Sequence, residues 1–396
     1  MSDRKPLPAG VWALGFVSLL MDVSSEMIHS LLPVYMVSVL GISVFAVGLI
    51  EGAAEATALM VKVFSGVLSD YWGRRKPLAV LGYGLGALSK PLFALASGAG
   101  LIVAARLIDR VGKGIRGAPR DALVADITAP ELRGAAFGLR QSLDTVGAFL
   151  GPALAVGLML LWANDFRAVF WIATIPAFLC VGLLIAGVRE PVRGTGERRS
   201  NPISRINLTR LDAGYWWVVG MGAVFTLARF SEAFLVLRVQ QGGLGLAWTP
   251  LVLIAMNLIY ATCAYPFGKL ADKMPHTTLL AYGLLLLMAA DALLAYANHG
   301  VWVWAGIALW GLHMAMTQGL LATMVAASAP ADLRGTAYGF FNLVSGLAML
   351  LASALAGLLW QQFGAALAFL AGLAFCLAAL ALLLLGVRRN SPSAIK

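Results

Sequence analysis

Asp22, Glu26 and His29 stand at i, i+4 and i+7 within a long apolar run, so one helix face carries all three. Two carboxylates and an imidazole at that spacing can take up a proton, relay it, or bind a cation. Other apolar runs repeat the theme. Glu51, Glu55 and Lys62 form one stripe, and Arg106, Asp109, Arg110 and Lys113 fall within two turns. Lys90 and Asp144 complete the inventory of the first half. The second half is poorer, with Arg229, Glu232 and Asp291 and the scattered polar residues Asn257, His313, Gln318 and Asn342. Proton handling is therefore expected mainly in the first half, against an apolar and aromatic wall (Phe225, Trp248, Trp310) in the second. A charge at mid-bilayer costs several kcal/mol, so each needs a partner or a task.

Membrane helices must position these groups. The chain has 396 residues, 60% of them hydrophobic and 12% charged, and a mean hydropathy of +0.84. No soluble domain has that balance. Runs of membrane-spanning length recur near 11–38, 44–69, 77–97, 100–124, 135–161, 167–188, 214–239, 247–268, 277–297, 301–327, 336–360 and 365–387. The expected fold is an all-α membrane protein of twelve helices in two pseudo-symmetric six-helix bundles, residues 1–188 and 214–396, joined by a cytoplasmic linker at 189–213.

Charge sets the topology. Lys and Arg crowd alternate loops (Arg4 and Lys5, Arg74 to Lys76, Arg189 to Arg210, Lys269 and Lys273, Arg388 and Arg389), and the intervening loops are nearly free of them. This pattern places both termini in the cytoplasm. The formal net charge of +10 is thus a topology signal and predicts no nucleic-acid partner. Cys180, Cys263 and Cys376 are isolated in apolar runs and make neither a disulfide framework nor a metal site. The first apolar run is too long for a signal peptide and has acids in its middle.

Two motifs are duplicated. Gly66-Val-Leu-Ser-Asp70-Tyr-Trp-Gly73-Arg74-Arg75-Lys76 has an echo in Gly268-Lys-Leu-Ala-Asp272-Lys273. Ala129-Pro130-Glu131-Leu132-Arg133-Gly134 returns as Ala329-Pro330-Ala331-Asp332-Leu333-Arg334-Gly335, with one inserted residue. Duplicated halves around a central site are how secondary transporters are built.

At these residues the chain resembles the major facilitator superfamily over essentially its whole length. The resemblance implies that Asp70 caps a neighbouring helix and that the arginines Arg74 and Arg75 of this loop latch the halves on the cytoplasmic side. Asp272, Arg133 and Arg334 occupy related gating positions. Arg110-Val-Gly-Lys113-Gly114 resembles the helix 4 signature of drug:proton antiporters, with Lys113 where Gln is usual. Gly147-Ala-Phe-Leu-Gly151-Pro152 resembles the helix 5 signature, with Ala153-Leu154-Ala155 in place of further glycine. Small residues let helices approach and Pro supplies a hinge.

The expected protein is a monomeric carrier in the cell inner membrane, moving a small solute by alternating access and using no cofactor. Protons are the expected coupling ion, with Asp22, Glu26, Glu55, Asp109 and Arg110 as the coupling set. His29, Glu51, Lys90, Arg106, Lys113, Asp144, Arg229, Glu232, Asn257 and His313 are expected along the cavity. Efflux by antiport leads, with import of an organic anion or metal chelate by symport as its rival. Lys90 and Arg106 admit two roles, binding an anion or neutralising the acids of the first two helices. The acids themselves admit a packing role, for example an ion pair of Glu55 with Arg110. No HExxH, GxSxG or GxxxxGK[ST] sequence supports an enzyme or an ATP-driven pump. A scaffold without transport has no need of so many buried charges.

Overall fold

In hydrocarbon every backbone N–H and C=O must be satisfied within its own segment, so long apolar runs fold as helices. The computed structural model describes residues 7–72, 74–190, 210–271, 273–297, 300–330 and 333–389, and all regular structure there is helical. The first unit contains α1 (Ala9–His29), α3 (Lys76–Leu95), α4 (Ala99–Asp126), α5 (Arg133–Leu161) and α6 (Phe166–Gly187). The second contains α7 (Ala213–Ala228), α8 (Ala233–Gln241), α9 (Leu251–Ala271), α10 (His276–Tyr296), α11 (Gly300–Thr317), α12 (Leu320–Ser328), α13 (Arg334–Phe363) and α14 (Ala365–Arg389). Helix α2 (Val44–Trp72) is continuous, but groups with the second unit through Ala56 and with the first from Thr57.

Among the described residues, eleven helical segments are long and apolar enough to cross a membrane. The run expected as a twelfth, near 100–124, is the 28-residue α4. Its charges, Arg106 to Arg120, take it out of that class, so length and composition alone support eleven spans and not twelve. Three other expected spans are interrupted. The run at 11–38 turns at Ser30–Leu31, just after α1, and resumes as a short helical piece over Leu32–Val34 and a π-helical turn over Tyr35–Val39. The run at 214–239 breaks at Arg229–Glu232 between α7 and α8, and the run at 301–327 breaks at Gln318–Gly319 between α11 and α12. Serines satisfy backbone groups freed at the α7–α8 break: Ser353 Oγ accepts from Ser231 N at 3.1 Å and Ser231 Oγ from Ala233 N at 3.3 Å.

Neighbour relations recur within each unit. Helix α3 packs on α4 and α6, and α1 on α5 and α6; likewise α10 packs on α11 and α14, and α7 on α13 and α14. Asp165 caps α6 and Asp212 caps α7, accepting from Ala168 N at 3.1 Å and from Tyr215 N at 2.8 Å.

Glycines set the closest approaches. A Cβ on Gly147 would lie 2.8 Å from the Leu19 carbonyl and 3.0 Å from Asp22 Cβ. On Gly151 it would lie 2.8 Å from Glu26 Cβ and from the Val23 carbonyl. The absence of side chains there seats α5 against the very face of α1 that bears the acids. In the second unit the start of α2 sits as closely on α13: a Cβ on Gly48 would be 2.3 Å from the Ser353 carbonyl.

Candidate functional site

Three helices of the first unit bring charges to one buried point. Asp109 on α4 is its centre. Its Oδ1 accepts from Lys90 Nζ of α3 at 2.7 Å and lies 3.5 Å from Ser89 Oγ, and its Oδ2 is 3.4 Å from His29 Nε2 of α1. Lys90 also donates to Ser25 Oγ of α1 at 3.0 Å. His29 extends the chain outward, with Nδ1 3.6 Å from Glu26 Oε1 and both ring nitrogens within 3.5 Å of Arg110 Nη2. Lys90 is wholly buried and Asp109 nearly so, whereas the Glu26 side chain keeps 25% of its accessible surface. The cluster therefore grades from a sealed ion pair to a carboxylate open to its surroundings. Arg106, one turn before Arg110, is buried and within electrostatic reach of His29.

Lys90 pairs with Asp109 of α4, an acid outside the first two helices. Glu26 and His29 form the exposed end, where an imidazole bridging two carboxylates can relay a proton.

A second network lies around Asp22, which is half-buried. Asp144 and the guanidinium groups of Arg116 and Arg120 lie within its electrostatic reach. Arg140 is hydrogen-bonded to Asp144, and its Nε lies 3.6 Å from Asp121 Oδ1. Arg120 reaches Asp121 at 3.0 Å and Ser18 Oγ at 3.2 Å, while Ser18 Oγ and the Tyr83 hydroxyl are 3.3 Å apart. Arg116 stacks over the Tyr83 ring, 4.8 Å from its centroid. Asp22 and Glu26 thus share a helix face yet belong to different networks. Sequence reasoning missed Ser18, Ser25, Tyr83, Ser89, Arg116, Arg120, Asp121 and Arg140 as site residues; Arg140 left a signal, four residues before Asp144.

The remaining expected residues scatter. Glu51 is buried and Glu55 half-buried on the part of α2 that groups with the second unit. Lys113 is exposed. Arg229 and Glu232 flank the α7–α8 break, and Asn257 is half-buried on α9. His313 is fully buried, with Nδ1 2.9 Å from the Gly283 carbonyl. At the loop after α2, Arg75 Nη1 pairs with Asp126 Oδ2 at 3.0 Å, and Glu190 accepts from Arg75 N and Lys76 N at the start of α3. Arg74, Arg133 and Arg334 are exposed, and Arg334 Nε donates to the Ala326 carbonyl at 3.2 Å. Gly66 and Pro152 lie within α2 and α5. The Asp70 side chain, Gly73, Asp272 and most of the 189–213 linker lie outside the described residues. Among the described residues no group of three or more His, Cys, Asp or Glu is placed to hold a metal ion.

Helices paired in this way around buried intramembrane charge define a membrane transporter. Residues 14–353 match the Major Facilitator Superfamily, and the chain belongs to it. It is 33% identical to the uncharacterised MFS-type transporter MJ1317 of Methanocaldococcus jannaschii, covering 94% of this chain and 95% of that protein. It is 26% identical to the multidrug resistance protein MdtH of Edwardsiella ictaluri, covering 86% and 83%. Among solved structures, an inward-facing bacterial homologue of the human lysosomal transporter Spinster superposes with a TM-score of 0.78 at 16% identity, covering 97% of this chain and 98% of that one. The peptide transporter POT superposes at 0.79 with 16% identity, covering 98% and 96%. These two likenesses concern the fold alone.

Proposed function

We propose that this transporter exports a small solute by proton antiport, using Glu26, His29 and Asp109 as the proton path. The carrying observation is the graded chain Glu26–His29–Asp109–Lys90, which runs from an accessible carboxylate to a sealed ion pair. Protonation of Glu26 removes one of the two anions that hold His29, and so biases the packing of α1 against α4. Asp22, with Asp144 and its arginines, provides a second acid on the same helix. Helix α4 is inferred to be the twelfth span, tolerated in the bilayer because its charges are paired inside the first unit. Two six-helix halves with cytoplasmic termini, a monomer in the inner membrane, and gating at the Arg75 loop complete the reading. The multidrug resistance name of MdtH supports efflux as the direction.

The rival, import of an organic anion by proton symport, draws on the buried guanidinium groups of Arg106 and Arg110. Purified protein in liposomes containing a pH dye, under an imposed proton gradient, distinguishes the two. Cationic, zwitterionic and anionic solutes are added in turn, with Glu26→Gln and Asp22→Asn proteins in parallel. Antiport predicts proton movement opposite to the solute and its loss in Glu26→Gln. Proton movement with the solute would establish symport. Labelled solute equilibrating without any proton movement would overturn coupling altogether.

A further inference from the structure

The duplicated halves share a structural register that sequence motifs alone do not set. In the first unit a Cβ on Gly82 would meet Gly112 and Arg116, and in the second a Cβ on Gly283 would meet Thr317 and approach His313. The two sets of contacts are the same pair of helices read at a constant offset: α3 on α4, and α10 on α11. In that register Lys90 corresponds to Asp291, Asp109 to Trp310 and His29 to Phe230. The third correspondence has its own support. His29 contacts Asp109, and the Phe230 ring lies 5.6 Å from that of Trp310.

The second unit thus has an acid where the first has its buried lysine, and an indole where the first has the lysine's counter-ion. Asp291 is fully buried, and neither carboxyl oxygen has a hydrogen-bond partner among the described residues. The indole Nε1 of Trp310 is likewise buried and unpartnered. Gly372 of α14 packs closely against the carboxyl: a Cβ there would lie 2.7 Å from Asp291 Oδ2, 3.2 Å from Phe230 Cε1 and 3.3 Å from the Ala228 carbonyl. Ala228 ends α7, so the carboxyl and the Phe230 ring meet Gly372 at the same place, beside the break in that helix.

The charged and titratable groups on the surrounding elements do not compensate it. Arg238 of α8 is committed to the carbonyls of Leu294 and Ala297 at 2.7 and 2.8 Å, and His313 turns Nδ1 to Gly283. Arg229 and Glu232 flank the break, and α12 carries no titratable side chain. The thiol of Cys376 on α14 is the group in electrostatic contact with Asp291. Isolated carboxylates in hydrocarbon are not sustained without a cation, and this site has neither the oxygen ligands nor the space of a metal site. A proton needs neither.

We propose that Asp291 is a proton-exchanging site of the second unit, reached through the α7–α8 break when Phe230 swings away. Its use in transport rests on the proton-coupled reading above, but its detection does not. The test is infrared difference spectroscopy between acidic and alkaline pH, in H2O and D2O, on the full-length protein in lipid nanodiscs. The expected result is a carboxyl C=O band that appears at acidic pH, shifts in D2O, disappears in Asp291→Asn and persists in Glu26→Gln. Asp291→Glu, which keeps the acid, should displace the band, and Phe230→Ala should speed its deuterium shift several-fold. A difference spectrum identical in wild type and Asp291→Asn would overturn the site. So would an Asp291 band that does not change with pH, since that carboxyl would be a fixed structural group. An unchanged deuteration rate in Phe230→Ala would overturn the route through the break. No solute enters this measurement, so a failure of proton-coupled transport in the liposome assay is read separately.

Discussion

Lys90 Nζ and Asp109 Oδ1 lie 2.7 Å apart with both side chains almost wholly cut off from their surroundings. Removing one member leaves the other buried and uncompensated, which costs about 3–5 kcal/mol, whereas replacing both by apolar residues of similar size is often neutral. Lys90→Met and Asp109→Leu are therefore each expected to lower the unfolding temperature in detergent markedly. The double variant should recover most of that loss without recovering proton-coupled flux. Flux that returned with stability would reduce the pair to packing.

Glycines on α5 divide by what surrounds them. Gly151 has the α1 backbone against it, and Gly138 has nothing within 4 Å of a built Cβ. Gly151→Val is expected to push α1 away and destabilise by about 1–3 kcal/mol, as overpacking does. Gly138→Ala should be neutral or stabilising by roughly 0.5–1 kcal/mol, because a helix-interior glycine is replaced in open space. Thermal unfolding of the two purified variants checks the contrast.

Glu190 holds the first turn of α3 by accepting from the backbone of Arg75 and Lys76. An N-terminal acceptor is worth about 1 kcal/mol. Glu190→Ala should therefore raise deuterium uptake over the first turn of α3 by roughly fivefold, leaving α4 and α5 unchanged. Uptake unaltered at Arg75–Leu78 would show that this carboxylate does not stabilise the helix start.

In the second unit, Gly48 lets α2 lie on α13 with a built Cβ 2.3 Å from the Ser353 carbonyl. Backbone cannot yield as a side-chain tip can. Gly48→Ala is expected to lower thermal stability and slow solute flux together, whereas Gly84→Ala, with open space around it, should do neither. Normal flux from a stable Gly48→Ala protein would show that the close approach is dispensable.

What the sequence determined by itself is what depends on neighbours along the chain. Hydropathy over a span's length placed most of the long helices to within a few residues, because each must satisfy its own backbone in hydrocarbon. Helical periodicity put Asp22, Glu26 and His29 on one face, and the pairs Gly66/Gly268 and Arg133/Arg334 exposed the duplication. The breaks at Arg229–Glu232 and Gln318–Gly319 were not visible, since neither contains proline and the first draws on Ser353, far along the chain, to satisfy its backbone.

Which charges meet was decided only by tertiary structure. Glu26 and Asp22 differ by one turn, yet one joins His29 and Asp109 while the other faces Asp144 and the arginines of α4. Lys90 was set in sequence against an anion or the acids of the first two helices, and the packing of α3 on α4 pairs it with Asp109 instead. Asp291 stood in sequence only as one of the few charges of the second half, and its lack of a partner emerged when α10 was packed against α11 and α14. Periodicity fixes a residue's angle about its own helix, but the rotation and depth of each helix against its neighbours come from the packing of whole faces. That packing paired Lys90 with Asp109 and left Asp291 without a hydrogen-bond partner among the described residues.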